Sequence, residues 1–334
     1  MKPVDLQDEP SGLAALTQSQ LDTWVVHAKT CTPMGRLPDY IPLLAKVNPQ
    51  WVAVQVQQIN GEKFSAGDVQ QPFALMSVVK PFTLLFLLEQ FGREQVFTHV
   101  GMNPSDQSFH SLQQLKEDRG FPRNPMINSG AIALAGLLPG KDGTARCEAL
   151  RLWLNQLSGS QLVLNEHMLA SVRSLSNEAN RAIAELLAKS GHLDSVEIAL
   201  DTYNQICCLS GTVADLAKLG TLLAGGDVET QRRGDAETSI QNSKFKIQNS
   251  PSTQHLKMVN ALMLTCGLYE ASGRFAVRMG LPTKSGVSGA LLSVVPGQGA
   301  IACYSPALDS TGNSVAGLFL LEKLSQELDL SVFS

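Results

Sequence analysis

The 334-residue sequence lacks most of the signatures that would place it in a class at once. No apolar run approaches the roughly 20 residues needed to cross a bilayer, so no membrane partner is expected. Neither H-E-x-x-H nor a Cys/His cluster occurs and the six histidines stand singly, so no metal is expected. The six cysteines, Cys31, Cys147, Cys207, Cys208, Cys266 and Cys303, include no C-x-x-C pair and read as buried, reduced thiols. G-x-S-x-G is absent, which argues against the nucleophile elbow of an α/β-hydrolase. The net charge of −4 is small and mixed, so no nucleic-acid partner is expected. Residues 1–10 are acidic and carry no apolar signal core, which points to the cytoplasm.

What is present suits a sizeable core: 44% of residues are hydrophobic and 17% charged, enough for one large domain or two intimately packed ones. Leu13, Leu16, Leu21, Trp24 and Val25 recur at helical spacing and predict an amphipathic helix over residues 13–30. Residues 51–56 alternate at period two, and Asn60-Gly61 is a hairpin turn signal. From Ser77 to Gly226 the pattern is mostly helical, with helices over 147–157, 180–190 and 213–223 and a stop at Gly225-Gly226. Residues 124–133 read as a loop entering a helix of small residues. Residues 227–254 are polar, repeat Ile-Gln-Asn-Ser at 240–243 and 247–250, and read as a flexible insertion. Strand signals return over 275–279, 289–295, 300–304 and 315–320, with Pro296-Gly297 as a turn and a last helix over 321–328. Gly297-Gln298-Gly299-Ala300-Ile301-Ala302 matches a dinucleotide pattern, but a strand follows where a phosphate-binding helix would be required. The expected fold class is therefore α/β of the α+β type: an antiparallel sheet built from both chain ends, flanked by helices, with an inserted all-helical domain. The corresponding division is 1–80 with 256–334 for the sheet-containing part, and 81–255 for the helical part including the insertion.

The most informative segment is Met76-Ser77-Val78-Val79-Lys80-Pro81. An acyl-transfer nucleophile needs a hydroxyl with a base close by, and residues three apart share a helix face. Pro81 suits a first helical turn, so the helix is expected to start near Ser77 and leave that amide free for an oxyanion. The flanks, Phe73-Ala74-Leu75 and Phe82-Thr83-Leu84-Leu85, are apolar, which sets Lys80 apart from the solvated lysines that usually carry an S-x-x-K spacing. A second element, Lys284-Ser285-Gly286-Val287, is a variant of the K-T-G that follows S-x-x-K in serine β-lactamases and penicillin-binding proteins. There a strand edge can donate an amide to the oxyanion and the glycine lets substrate approach. The S-D-N element of those enzymes is missing. Tyr269, in Thr265-Cys266-Gly267-Leu268-Tyr269, is a candidate proton relay beside the two lysines.

At this point the chain resembles the serine-dependent glutaminases, which share the β-lactamase-like fold. The similarity runs from about Gly35 to Leu320 apart from the insertion. It is carried by Asp39-Tyr40-Ile41-Pro42-Leu43-Leu44-Ala45, the Ser77–Lys80 segment and Asn124-Pro125-Met126-Ile127-Asn128-Ser129-Gly130. Asn180-Arg181-Ala182-Ile183-Ala184, Asp201-Thr202-Tyr203, the Tyr269 segment and Gly280-Leu281-Pro282-Thr283-Lys284-Ser285-Gly286-Val287 carry the rest. The resemblance implies hydrolysis of L-glutamine to L-glutamate and ammonia without a cofactor. It implies attack by Ser77, proton handling by Lys80 and Tyr269, and an oxyanion hole from the amides of Ser77 and Val287. It places Asn128, Asn180 and Tyr203 against substrate and Tyr40 in the site lining. It also implies a homo-oligomer, a homotetramer in particular. An unperturbed lysine is too basic to act, so Lys80 needs burial or a cationic neighbour, and Lys284 is a candidate for that neighbour.

One position departs from the resemblance. The family carries a glutamate seven residues before the Asn180 position to bind the substrate ammonium, and here that position is Arg173. Either Glu178 or another nearby acid substitutes, or the register differs, or specificity has moved to an amide with no free ammonium. The rival functions are a related serine amidohydrolase, a β-lactam-interacting enzyme and a non-catalytic glutamine-binding protein.

Overall fold

The computed structural model describes residues 11–225 and 250–334. In chain order it runs through α1 (Gln18–Lys29), β1 (Ala53–Gln58), β2 (Lys63–Gly67), β3 (Phe73–Ala74) and α2 (Lys80–Val96). Then come α3 (Leu112–Glu117), α4 (Asn128–Leu137), α5 (Gly143–Ser158), β4 (Val163–Leu164), α6 (Glu166–Arg173) and α7 (Glu178–Lys189). They are followed by α8 (Val196–Cys207), β5 (Leu209–Gly211), α9 (Val213–Ala224), α10 (Thr253–Cys266) and α11 (Ser272–Arg278). The chain closes with β6 (Thr283–Ser285), β7 (Ala290–Val295), β8 (Gly299–Tyr304) and α12 (Val315–Glu327).

Five strands form one antiparallel sheet in the order β2-β1-β8-β7-β6, so β1 and β8 join the two ends of the chain at its centre. Period-two alternation covers both of its faces. Val54, Val56, Leu291, Ile301 and Cys303 pack with Leu21, Trp24, Leu320, Leu321 and Leu324 from α1 and α12. Ala290, Leu292, Ala300 and Ala302 turn the other way, into the core shared with the helical body. There α9 lies directly on the sheet, and Gly220 allows it: an added Cβ would come 2.4 Å from Ala300 Cβ. The antiparallel sheet from both chain ends, with helices around it, is the expected fold class.

The structure corrects several element assignments. Residues 275–278 belong to α11 and Met279 caps its end, so none of them is in a strand: Ser272, Phe275 and Met279 are buried at helical spacing, while Val277 is exposed. Residues 315–320 open α12, capped by Ser314 Oγ accepting from the Gly317 amide, and the apolar run continues at helical period through Leu324. Lys284 and Ser285 lie in a strand, with Gly286 to Gly289 as the turn that follows it. A three-stranded sheet, β3-β5-β4, was not expected, because strands of two or three residues are too short to show a period. Residues 226–249, most of the expected insertion, lie outside the described residues, and Thr253 and Gln254 already belong to α10.

Candidate active site

Ser77 stands in a 3₁₀ turn, Met76–Val79, that feeds directly into α2. The turn is bent into place by Met76, whose φ of 48° is left-handed, and by the Leu75 amide, which donates to Leu209 O at 2.7 Å. First-turn amides have no partner within the helix, so the Ser77 N–H is available to a ligand. The turn after β6 packs against it. An added Cβ on Gly286 would lie 2.7 Å from Leu75 O and 3.4 Å from Ser77 N, so only glycine lets the two segments approach this closely. Val287 follows Gly286 and shares a cavity wall with Ser77.

Lys80 opens α2 with 1% of its surface exposed. Its Nζ donates to Asn128 Oδ1 at 2.9 Å and to Met126 O at 3.1 Å. Asn128 begins α4, and its Nδ2 donates to Asn180 Oδ1 at 2.9 Å while its Oδ1 also accepts from Tyr203 OH at 3.1 Å. One amide side chain thus joins α2, α4, α7 and α8. Burial lowers the Lys80 pKa to about 8, and Cys207 opposes that shift. Of the two expected causes, burial is the one at work, and Lys284 is not among the groups that shift Lys80. Lys284 is itself held well below its ordinary value, first by burial and then by Lys80.

Tyr269 is buried with a left-handed φ of 57°, and its ring stacks at a tilt on Phe109 with centroids 4.6 Å apart. Its OH donates to Ser285 O at 3.3 Å, and Lys284 Nζ lies 4.3 Å from the ring centroid. Burial pushes the phenol up to about 12, and the Ser77 hydroxyl holds it back. Tyr203 is raised well above its ordinary value, chiefly by burial.

Ser77, Tyr40, Asn128, Asn180, Tyr203 and Val287 line one cavity of about 120 Å³. Lys80 stands behind this lining, joined to it through Asn128, and Tyr269 packs on Phe109 of the lining. Sequence reasoning missed Phe109, Asn177, Asn204 and Cys207, which also face it. Asn204 adjoins Tyr203, but Phe109 and Asn177 sit in loops with no periodic signal. The Cys207 thiol is pushed up to about 11 by burial, so it is protonated at neutral pH and unsuited to nucleophilic attack. Tyr40, Phe109 and Val287 are shared with a wider cleft of about 810 Å³ that leads outward past Asp39, Glu270 and Asp309.

Arg173 does not face the cavity. It ends α6 half-exposed and pairs with Asp201 at 2.5 Å. Val172, Leu175 and Asn177 form that wall, and Glu178 is exposed on α7. No carboxylate lines the inner cavity among the described residues. None of those residues groups as a metal-ion cluster, and no helix among them is long and apolar enough to cross a membrane.

The glutaminase family model matches residues 35–333. A glutaminase from Synechocystis sp. is 43% identical over 314 residues, covering 93% of this chain and 90% of the relative. Among solved structures, a probable glutaminase, ybaS, superposes with a TM-score of 0.84 at 34% identity, over 96% of this chain and 100% of that one. A covalent complex of the Bacillus subtilis glutaminase YbgJ with 5-oxo-L-norleucine, formed by reaction with 6-diazo-5-oxo-L-norleucine, gives 0.81 at 31% identity, over 95% and 99%. The chain therefore belongs to the glutaminase family and has its β-lactamase-like fold.

Proposed function

We propose that the protein hydrolyses L-glutamine to L-glutamate and ammonia through an acyl-enzyme on Ser77. The observation that carries this reading is the close approach of two segments far apart in sequence, the Ser77 turn and the Gly286 turn. That approach supports an oxyanion hole made of the amides of Ser77 and Val287. Ser77 Oγ attacks the side-chain amide carbon and the carbonyl oxygen takes its charge between those amides. Lys80 and Tyr269 carry the hydroxyl proton to the amide nitrogen, the C–N bond breaks and ammonia leaves. Water then cleaves the ester, so one hard amide hydrolysis becomes two easier steps. Asn128, Asn180 and Tyr203 bind the amino-acid part of the substrate, and Tyr40 stands at the mouth. No cofactor enters this sequence of steps. The covalent adduct of the Bacillus subtilis relative supports a nucleophilic route.

The uncharged inner wall favours a second reading of specificity, in which an amide with a blocked ammonium is accepted as well. A coupled assay of ammonia release from glutamine, asparagine and N-acylated glutamine tests both readings. Glutamine turnover that disappears in Ser77→Ala supports the first; turnover unchanged in that variant removes the nucleophile assignment. We place the protein in the cytoplasm, which its six free cysteines, five of them buried, support, and read it as a homotetramer from the family resemblance. Light scattering on the purified chain tests the latter.

A further inference from the structure

Ser285 ends β6 and is 0% exposed. Its carbonyl accepts from Lys284 Nζ at 2.7 Å and from Tyr269 OH at 3.3 Å. Its own hydroxyl has no protein partner among the described residues. A buried hydroxyl left unpaired costs about 1–3 kcal/mol, so its retention calls for a reason. A neighbouring alanine-sized side chain would fill the same place at no such cost. The neighbour such a donor can serve is the Tyr269 phenol, whose OH already lies 3.3 Å from the carbonyl of the same residue.

We propose that Ser285 is a positioning residue for Tyr269: when the phenol turns from the Ser285 carbonyl toward the reacting centre, the Ser285 hydroxyl donates to the phenol oxygen. Tyr269 then gives its proton to the departing nitrogen as the C–N bond breaks, and the phenolate left behind is held by Ser285 Oγ–H. It recovers a proton from the water that opens the acyl-enzyme. The assignment rests on the acyl-transfer reading above. The other titratable groups around the phenol come from every side. They are Lys284 from β6, Cys207 and Tyr203 from α8, Tyr40 from the preceding loop and Glu270 beside it. None of them changes when Ser285 alone is altered.

The test compares Ser285→Ala and Ser285→Thr with the unmodified protein. In a Ser77→Ala background, phenolate absorbance is followed against pH, and the contribution of Tyr269 is taken by difference from Tyr269→Phe. Ser285→Ala is expected to move the Tyr269 midpoint upward and, in the otherwise native protein, to lower kcat about tenfold with little change in KM. Ser285→Thr restores both. The melting temperature of Ser285→Ala should hold or rise, because an unpaired buried hydroxyl has been removed. An unmoved Tyr269 titration in Ser285→Ala overturns the proposal, whatever happens to activity or melting. Because that titration needs no turnover, it is decided separately from the glutaminase reading, which the loss of ammonia release in Ser77→Ala tests.

Discussion

Lys80 Nζ lies 2.9 Å from Asn128 Oδ1, and no hydrogen bond joins it to Ser77 in the resting site. In the proposed mechanism the base is thus held toward the cavity wall, one step from the nucleophile. Burial keeps it near neutrality while Asn128 and Met126 fix its position. On that reading a single amide side chain, that of Asn128, links the proposed base to the proposed substrate-binding residues.

The pH dependence of turnover follows from Lys80. A base must be unprotonated, and a lysine lowered to about 8 reaches that state just above neutrality. We expect kcat/KM to rise with pH through an apparent midpoint near 8. The same shift makes the folded protein bind fewer protons than the unfolded chain between about 8 and 10.5, so the Lys80 contribution to stability rises with pH across that window. A profile of kcat/KM against pH, with melting temperatures at the same values, checks both signs.

Asn128 can be tested by changing charge at constant shape. Asn128→Asp puts a carboxylate beside Lys80 and raises the lysine pKa, so the rising limb should move to higher pH and activity near neutrality should fall. Asn128→Ala strands Lys80, Tyr203 and Asn180 and should lower the folding free energy by about 1–3 kcal/mol, besides removing most activity. Denaturant melts and initial rates measure the two effects.

Gly286→Ala should be inactive. Its Cβ would press on Leu75 O at 2.7 Å and push the Val287 amide away from the Ser77 turn. Losing one oxyanion donor typically costs about 10²–10³ in kcat, and the loss should fall on kcat more than on KM.

Arg173→Ala should behave like the native protein toward glutamine. Its side chain is half-exposed, pairs with Asp201 and lies off the cavity, and such surface pairs contribute at most about 1 kcal/mol. A change in KM beyond twofold would give this arginine a part in recognition that its position does not.

Much of this arrangement was legible in the residues themselves. The hairpin at Asn60-Gly61, the start of α2 and the end of α9 at Gly225 are written in local turn and cap chemistry. The spacing of Ser77, Lys80 and the Lys284-Ser285-Gly286 segment predicted their meeting because the order of elements allowed it. Phe275 and Leu320 misled because apolar and aromatic residues serve strands and short helices alike. Phe109 and Asn177 reach the cavity from loops, where position depends on tertiary packing and no periodicity records it. Burial was one of two expected sources of the lowered Lys80 pKa, and the choice between them is a property of the assembled core, where that lysine is 1% exposed.

The central claim is that the Ser77 hydroxyl carries the glutamyl group between two half-reactions. Enzyme quenched during turnover with glutamine, digested and weighed by mass spectrometry should show that group on the peptide containing Ser77, and Ser77→Ala should show none. An adduct on another peptide, such as the one holding Cys207, or glutamine consumed at full rate with no adduct and no dependence on Ser77, would contradict the account.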